Sequence, residues 1–292
     1  MKLLTTIYEL KHLESLAPFV DGFIIGNQRF GTRLTKSYED DEIFSMLDQT
    51  KKLGKELFLV CNQMFNDEQL EAFKNWMKSL PLHQFTGVIV ADLGAYKVLE
   101  KMGFSDKVIY NPETLAANVY DFNFLSEFKI QGVYVAKEIT LEDVTYIANH
   151  KNYQMFMVGH GHLNMFYSKR QLIDNFMNFN LEENIYHERQ DLKIIEENRL
   201  NEPFPILEDK AGTHVFRSNV FSSLNHLEKL EKLMDYLVID TLFKDDDYAL
   251  SVLPMYKNKK INQSVIDQIQ LKYDEKWDEG FFYKKTVYIP KG

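Results

Sequence analysis

Cysteine is nearly absent from this chain: Cys61 is the single one among 292 residues. That excludes an intrachain disulfide framework and leads us to expect a reducing, cytoplasmic setting. No apolar run approaches the roughly 20 residues needed to span a bilayer, and no basic-plus-apolar leader opens the sequence, so no membrane association is expected. Positive charge is short too, with 34 Lys and Arg against 43 Asp and Glu and a formal net charge of −9. Indiscriminate nucleic-acid binding draws its affinity from neutralised phosphates, so a chain this acidic needs a local basic face or a basic partner to hold RNA. Candidate patches are Lys169 with Arg170, Lys257 with Lys259 and Lys260, and Lys284 and Lys285 with Lys291; taken separately, each reads first as solvated surface. Several motifs are missing as well. There is no His-Glu-X-X-His zinc motif and no Gly-X-Ser-X-Gly elbow, which leaves peptidase chemistry without its usual carriers. Neither Gly-X-Gly-X-X-Gly nor a phosphate-binding P-loop occurs, which disfavours nucleotide-driven chemistry.

What the chain does have is apolar residues, 45% of the total, in short runs that alternate with helical patterns. Leu3 to Ile7, Gly22 to Ile25, Leu57 to Cys61 and Gly87 to Val90 read as four strands. Val108 to Tyr110, Gly132 to Val135, Gln154 to Val158 and Tyr236 to Ile239 supply four more. Helical stretches lie between them, at Asp41 to Leu53, Asp67 to Ser79, Ala95 to Met102, Leu141 to Asn149 and Lys169 to Asn178. Eight strands alternating with helices in one series predict an α/β fold, a (β/α)8 TIM-like barrel. One interruption falls before the last strand, where residues 190–221 read as short strands of an inserted β-hairpin region with Gly212 in the turn. Leu224 to Met234 then gives the helix preceding that strand. The expected organisation is a barrel over residues 1–258 carrying the insertion at about 190–221. A C-terminal extension, 259–292, follows: a helix around Ile261 to Tyr273 and an aromatic tail, Gly280 to Ile289, that packs on the barrel or docks on a partner.

The richest stretch for chemistry is residues 159–176, Gly-His-Gly-His-Leu-Asn-Met-Phe-Tyr-Ser-Lys-Arg-Gln-Leu-Ile-Asp-Asn-Phe. It follows the seventh apolar strand, so it is expected to be a polar loop at the barrel mouth, with Ser168 as the N-cap of the next helix. First-turn amides and the helix dipole there would attract an anion, and Arg170 adds a planar fork suited to a carboxylate or phosphate. A capped helix with a surface arginine is the plain alternative. His160 and His162 form a His-X-His pair, but no third metal ligand is identifiable, so no metal site is assigned. Glu138, Asp92, Asn62 and Asn111 stand just after the sixth, fourth, third and fifth strands, where barrel side chains converge on ligands; helix capping competes for Asp92 and Asn111. Glu208 and Asp209 are read as stabilising the inserted hairpin. Cys61, on an apolar strand without an evident activating neighbour, is expected to be buried and inert.

Taken together, His160, Gly161, Leu163, Tyr167, Ser168, Arg170, Leu172 and Asn175 resemble the signature of the collagenase-like peptidase family, peptidase family U32. Ala136 to Asp143, Pro205 to Asp209, Gly212-Thr213-His214, and Gly26 with Phe30, Gly31 and Arg33 resemble further family segments in the same order. At the two signature cysteine positions this chain has Asn164 and Gln171, so a cluster of the kind some members bind is not expected, because several thiolates are needed to hold it. The resemblance is therefore to the shorter, cluster-free bacterial members found beside a longer paralogue. It implies a role in tRNA modification, 5-hydroxylation of wobble uridine, with prephenate as a co-substrate and tRNA and the longer paralogue as partners. A non-catalytic scaffold that binds tRNA or a partner is the alternative, and a collagenase-like peptidase the second. On this reading His160 and Glu138 are candidate catalytic residues. Arg170, Ser168, Tyr167, Asn164, Asn62, Asn111 and Arg33 are candidates for binding substrate, a small dicarboxylate or RNA phosphate.

Overall fold

A computed structural model describes residues 1–284. Its centre is a closed ring of eight parallel strands: β1 (Lys2–Thr6), β2 (Gly22–Gly26), β3 (Glu56–Cys61), β4 (Gly87–Val90), β5 (Val108–Tyr110), β6 (Gly132–Tyr134), β7 (Gln154–Gly161) and β13 (Tyr236–Ile239). Strand β13 pairs with both β1 and β7, which closes the ring. The eight strands expected from the apolar runs are these eight, and the fold is a (β/α)8 barrel.

Alternation along each strand sends one residue set inward and the next outward. Leu4, Ile24, Phe58, Ile89, Ile109, Tyr134, Phe156 and Val238, one from each strand, form a single inner cluster. Phe156 stacks on Tyr236 at 4.3 Å and on Tyr134 at 5.3 Å. The barrel is thus a packed core rather than a pore, and ligand space is confined to its ends. The outward set, including Leu3, Phe23, Leu57, Cys61 and Val88, packs beneath the helices.

The principal barrel helices are α2 (Asp40–Lys52), α3 (Asp67–Ser79), α4 (Leu93–Lys101), α5 (Val119–Phe124), α6 (Leu141–His150), α8 (Leu227–Leu233) and α9 (Asp246–Asn258), with the one-turn α1 (Leu13–Leu16) after β1. Their starts are written locally: Asn66 with Gln69 and Thr140 with Asp143 form capping boxes, and Asp92 accepts from the amides of Gly94 and Ala95. Asp92 therefore caps α4, the competing role weighed for it.

The inserted region is larger than the expected hairpin and begins earlier. It is an antiparallel sheet in the order β8 (Asn164–Ser168), β11 (Gly212–Phe216), β10 (Arg199–Asp209), β9 (Lys193–Glu196), with helix α7 (Leu172–Phe179) packed on it. Ser168 does not cap a helix; it ends β8, and α7 begins four residues later after Gln171. The reason is pairing: Ser168 sits opposite Thr213, and the sheet keeps the chain extended past the point where local sequence favours a helix. Gly212 makes the close approach possible, with φ +135° and an added Cβ lying 2.0 Å from the Ser168 carbonyl oxygen. Strand β12 (Val220–Ser222) returns the chain to β7, and β14 (Trp277–Asp278), after α10 (Gln263–Lys272), lies beside β12. Phe282 packs edge-on against Phe221 at 5.1 Å, so the C-terminal segment folds back on the barrel. The remainder of the expected aromatic tail, with Lys285 and Lys291, lies outside the described residues. No helix among the described residues is long and apolar enough to cross a membrane.

Candidate functional site

The C-terminal ends of the barrel strands open into a cavity of about 100 Å³ whose floor includes Ile24, Ile89, Tyr134 and Val238. Its polar wall is dominated by Arg33, Glu113 and Lys137. Arg33 Nη2 lies 2.5 Å from one Glu113 carboxylate oxygen, and Lys137 Nζ is ion-paired with the other. The Arg33 and Lys137 side chains are only 8% and 11% exposed, so these charges are held largely away from water. Both Arg33 (φ 56°) and Glu113 (φ 63°) occupy the left-handed region, which side chains with a Cβ seldom adopt. Two strained residues meeting in one ion pair is the pattern expected where function, rather than stability, sets the backbone.

Burial alone would raise the Glu113 carboxyl, but the Arg33 and Lys137 charges overcome it and hold it at about 2. Lys137 moves the other way from most paired lysines: burial lowers it, the single Glu113 charge only partly compensates, and Arg33 lowers it further. Two cations thus share one anion. Asp240, at the end of β13, also lines the cavity and is raised, mainly by burial. Its backbone carbonyl lies 2.6 Å from where a Cβ on Gly161 would sit, so the left-handed glycine (φ +128°) lets β7 run close beside it.

Arg33 is oriented from the inserted sheet. Thr32 Oγ1 lies 2.6 Å from Asp209 Oδ2 and 2.8 Å from His214 Nε2. The carboxylate accepts only, so the hydroxyl donates to Asp209 and accepts from His214 Nε2–H. That assigns the His214 tautomer and leaves Nδ1 as an acceptor, facing Arg33 Nη1 at 3.3 Å and Asn164 Nδ2 at 3.4 Å. His214 is fully buried, and burial together with the Arg33 charge lowers its affinity for a second proton, against the pull of Asp209. Tyr167 stacks on the imidazole at 4.3 Å, and Asn62 Oδ1 accepts from the Thr32 amide at 2.9 Å.

The expected site residues divide accordingly. Arg33, Asn62, Asn111 and Asn164 line the cavity, and Tyr167 supports it through His214. Glu138 does not line it. The chain leaves the extended conformation after Tyr134 and turns at residues 137–138, so strand alternation no longer predicts direction and Lys137 faces the cavity instead. His160 is not in a polar mouth loop but within β7. It is fully buried, with Nε2 2.7 Å from the Tyr248 hydroxyl and Nδ1 3.2 Å from that of Tyr256. Burial, and then the Lys244 charge, hold it at about 3. His162 shares no partner with it: that ring lines the cavity wall, and its Nδ1 is 2.9 Å from the Arg217 carbonyl. Among the described residues, no group of three or more His, Cys, Asp and Glu side chains is placed to hold a metal ion.

The anion site expected at the helix after Ser168 is already filled from within. The buried Glu208 carboxylate accepts from the amides of Ile173 (2.7 Å) and Asp174 (2.9 Å) at the start of α7, and from the Thr213 hydroxyl at 2.6 Å. Arg170 is exposed and Ser168 only part-buried, and neither lines the cavity. Of the basic patches, Lys169 and Arg170 are exposed on the insertion. Lys257 lies 3.7 Å from Asp21, which precedes β2, at the barrel end opposite the mouth, and Lys259 pairs there with Glu231. Glu113, Lys137, Asp240 and the contact of His214 with Arg33 were not foreseen. A signal existed for Glu113 in the Asn-Pro-Glu turn directly after the fifth strand; nothing local marks His214 as a neighbour of Arg33.

Fold and site define a (β/α)8 protein with a charged mouth capped by an inserted sheet, and the comparisons place it. The model of Peptidase family U32 matches residues 12–286, and the chain belongs to that family. The "tRNA hydroxylation protein P2" of Bacillus subtilis (strain 168) is 22% identical over 283 residues, 91% of this chain and 92% of that protein. The "tRNA hydroxylation protein P" of Escherichia coli (strain K12) is 20% identical, covering 98% of this chain and 75% of its own length. A solved structure, the U32 peptidase Mk0906, superposes with a TM-score of 0.52 at 14% identity over 82% of this chain and 92% of its own. The thiolate-held cluster associated with some family members does not fit here. Asn164 and Gln171 stand at the signature positions, and Cys61 is buried among the outward core residues, where burial raises its thiol.

Proposed function

We propose that this protein acts in tRNA hydroxylation, at C5 of the wobble uridine, with prephenate as co-substrate and a longer family member as partner. The relatives in Bacillus subtilis and Escherichia coli carry tRNA hydroxylation in their names, and the family match spans nearly the whole chain, which supports the coarser part of this reading. The observation that carries the reading to this chain is the pair of buried cations, Arg33 and Lys137, sharing one carboxylate at the mouth. Two cations held beside one carboxylate, with burial disfavouring charge on the neighbouring Asp240, favour an anion, and barrel enzymes bind substrates at this end. About 100 Å³ has room for a small organic anion, with tRNA meeting the rim.

The test is deletion of the gene followed by nucleoside analysis of bulk tRNA, with plasmid-borne wild type or Arg33→Ala restored at native level. Loss of 5-hydroxyuridine derivatives, rescue by wild type and failure of Arg33→Ala support the reading. Unchanged nucleosides in a strain without redundant pathways refute it. Rescue by Arg33→Ala would assign this chain the part of a scaffold, and gelatin cleavage abolished by single-site variants would revive peptidase chemistry.

A further inference from the structure

We infer that Arg33 and Lys137 form a receptor for one carboxylate of a small organic acid, and that His214, through its Nδ1 acceptor, is the residue that positions Arg33 for it. The inference deepens the proposed use of the mouth but does not depend on tRNA being the other substrate.

Donor counting carries the first half. A guanidinium has five N–H donors and an ammonium three. Arg33 directs one from Nη2 to Glu113 and one from Nη1 to His214, and Lys137 gives one to Glu113. Both side chains border the cavity, are nearly shielded from solvent, and carry donors beyond these bonds that a ligand entering it can meet. Glu113 cannot satisfy both charges, because each of its oxygens already faces one cation. A second carboxylate bridging the two would give each cation an anionic partner besides Glu113, on a wall where burial disfavours charge on Asp240. A planar two-oxygen group can meet the edge of a guanidinium with two parallel hydrogen bonds.

Geometry around His214 carries the second half. With Nε2–H committed to Thr32, whose hydroxyl is held in turn by Asp209, the ring cannot turn without breaking its buried hydrogen bond to Thr32. Tyr167 stacked on its face restrains it further. Nδ1 is therefore a fixed acceptor that holds Nη1 on one side while Glu113 holds Nη2 on the other. This connects the inserted sheet to the barrel charge it orients. His214 acts on ligand through Arg33 and lines no part of the cavity itself.

The experiment is calorimetric titration of the purified full chain with succinate, prephenate and inorganic phosphate in separate runs. Lys137→Met and Arg33→Lys each remove donors to a charged ligand, and such a bond is worth about 1.5–3 kcal/mol, so carboxylate affinity falls roughly 10–100-fold. The diagnostic pair is His214→Asn and His214→Gln. An asparagine carbonyl reproduces the Nδ1 acceptor, whereas glutamine reproduces the Nε2 donor and leaves Arg33 without its partner. At matched melting temperatures, His214→Asn should bind within about threefold of wild type and His214→Gln about tenfold more weakly. Equal losses in both would make His214 merely structural and overturn the positioning role. Carboxylate binding indifferent to Arg33→Lys and Lys137→Met, or phosphate bound as tightly as succinate, would overturn the receptor. Intact carboxylate binding in a protein whose deletion leaves tRNA unaltered would sink the tRNA reading alone.

Discussion

Acid should unfold this protein early, and His160 should be one identifiable cause. Its imidazole is fully buried between β7 and α9, within hydrogen-bonding distance of Tyr248 and Tyr256 and 4.6 Å from the Trp277 ring. Desolvation dominates and the Lys244 charge adds to it, so the folded-state value is about 3 against an ordinary 6.5. The folded pKa is depressed, so the unfolded chain binds the extra proton and stability must fall as pH drops below the unfolded value. At pH 7 the effect is nearly absent. By pH 5 the unfolded imidazole is almost fully protonated and the folded one is not, which removes about 2 kcal/mol for this one group. His162, also held at about 3, contributes a separate share. His160→Gln keeps a donor toward Tyr248 but cannot titrate. Guanidinium chloride unfolding at pH 7 and pH 5 should therefore show wild type losing about 2 kcal/mol more than the variant over that interval. Identical losses in the two proteins would mean that His160 carries its proton in the fold, with Glu275 beyond Tyr248 as its counter-charge, and would refute the argument.

Glu208→Gln removes a charged acceptor from the first amides of α7, which should cost about 2–3 kcal/mol and raise hydrogen exchange across Leu172–Phe179 while the barrel strands stay protected. Gly212→Ala drives a methyl group into the Ser168 carbonyl in a left-handed turn; a loss of about 3 kcal/mol or more is expected by chemical denaturation, and near-wild-type stability would show the β10–β11 turn to be adaptable. Cys61, buried and with its thiol raised by burial, should resist Ellman's reagent in the native state and react fully once unfolded; prompt native labelling would contradict the packing.

The ring of strands was legible without coordinates because each strand announces itself locally. Gly87 to Val90 or Tyr236 to Ile239 is an apolar run bounded by polar helices, and eight of these in series leave few ways to bury both faces. Asn62 and Asn111 were legible as mouth residues for the same reason, since they follow directly on strand ends, and Arg33 through the resemblance of its loop to the family. Where the sequence reading failed, a local rule met a non-local partner. Ser168 has the composition of a helix cap but pairs with Thr213, 45 residues on, and stays in a strand. Glu138 has the inward parity, but the turn at 137–138 gives that direction to Lys137. His160 sits in the family signature, yet the hydroxyls that bury it come from α9, 88 and 96 residues later in the chain. The pairing within the charged centre belongs to this class. Arg33, Glu113, Lys137 and His214 share no spacing that marks them as a set, and Thr32 meets His214 only because the inserted sheet folds over the mouth, joining residues 182 apart. Local sequence determined which segments are strands and helices, since that follows from apolar periodicity and capping. Which charges face one another was decided by chain crossing and sheet pairing, because an ion pair depends on proximity in space that no local pattern encodes.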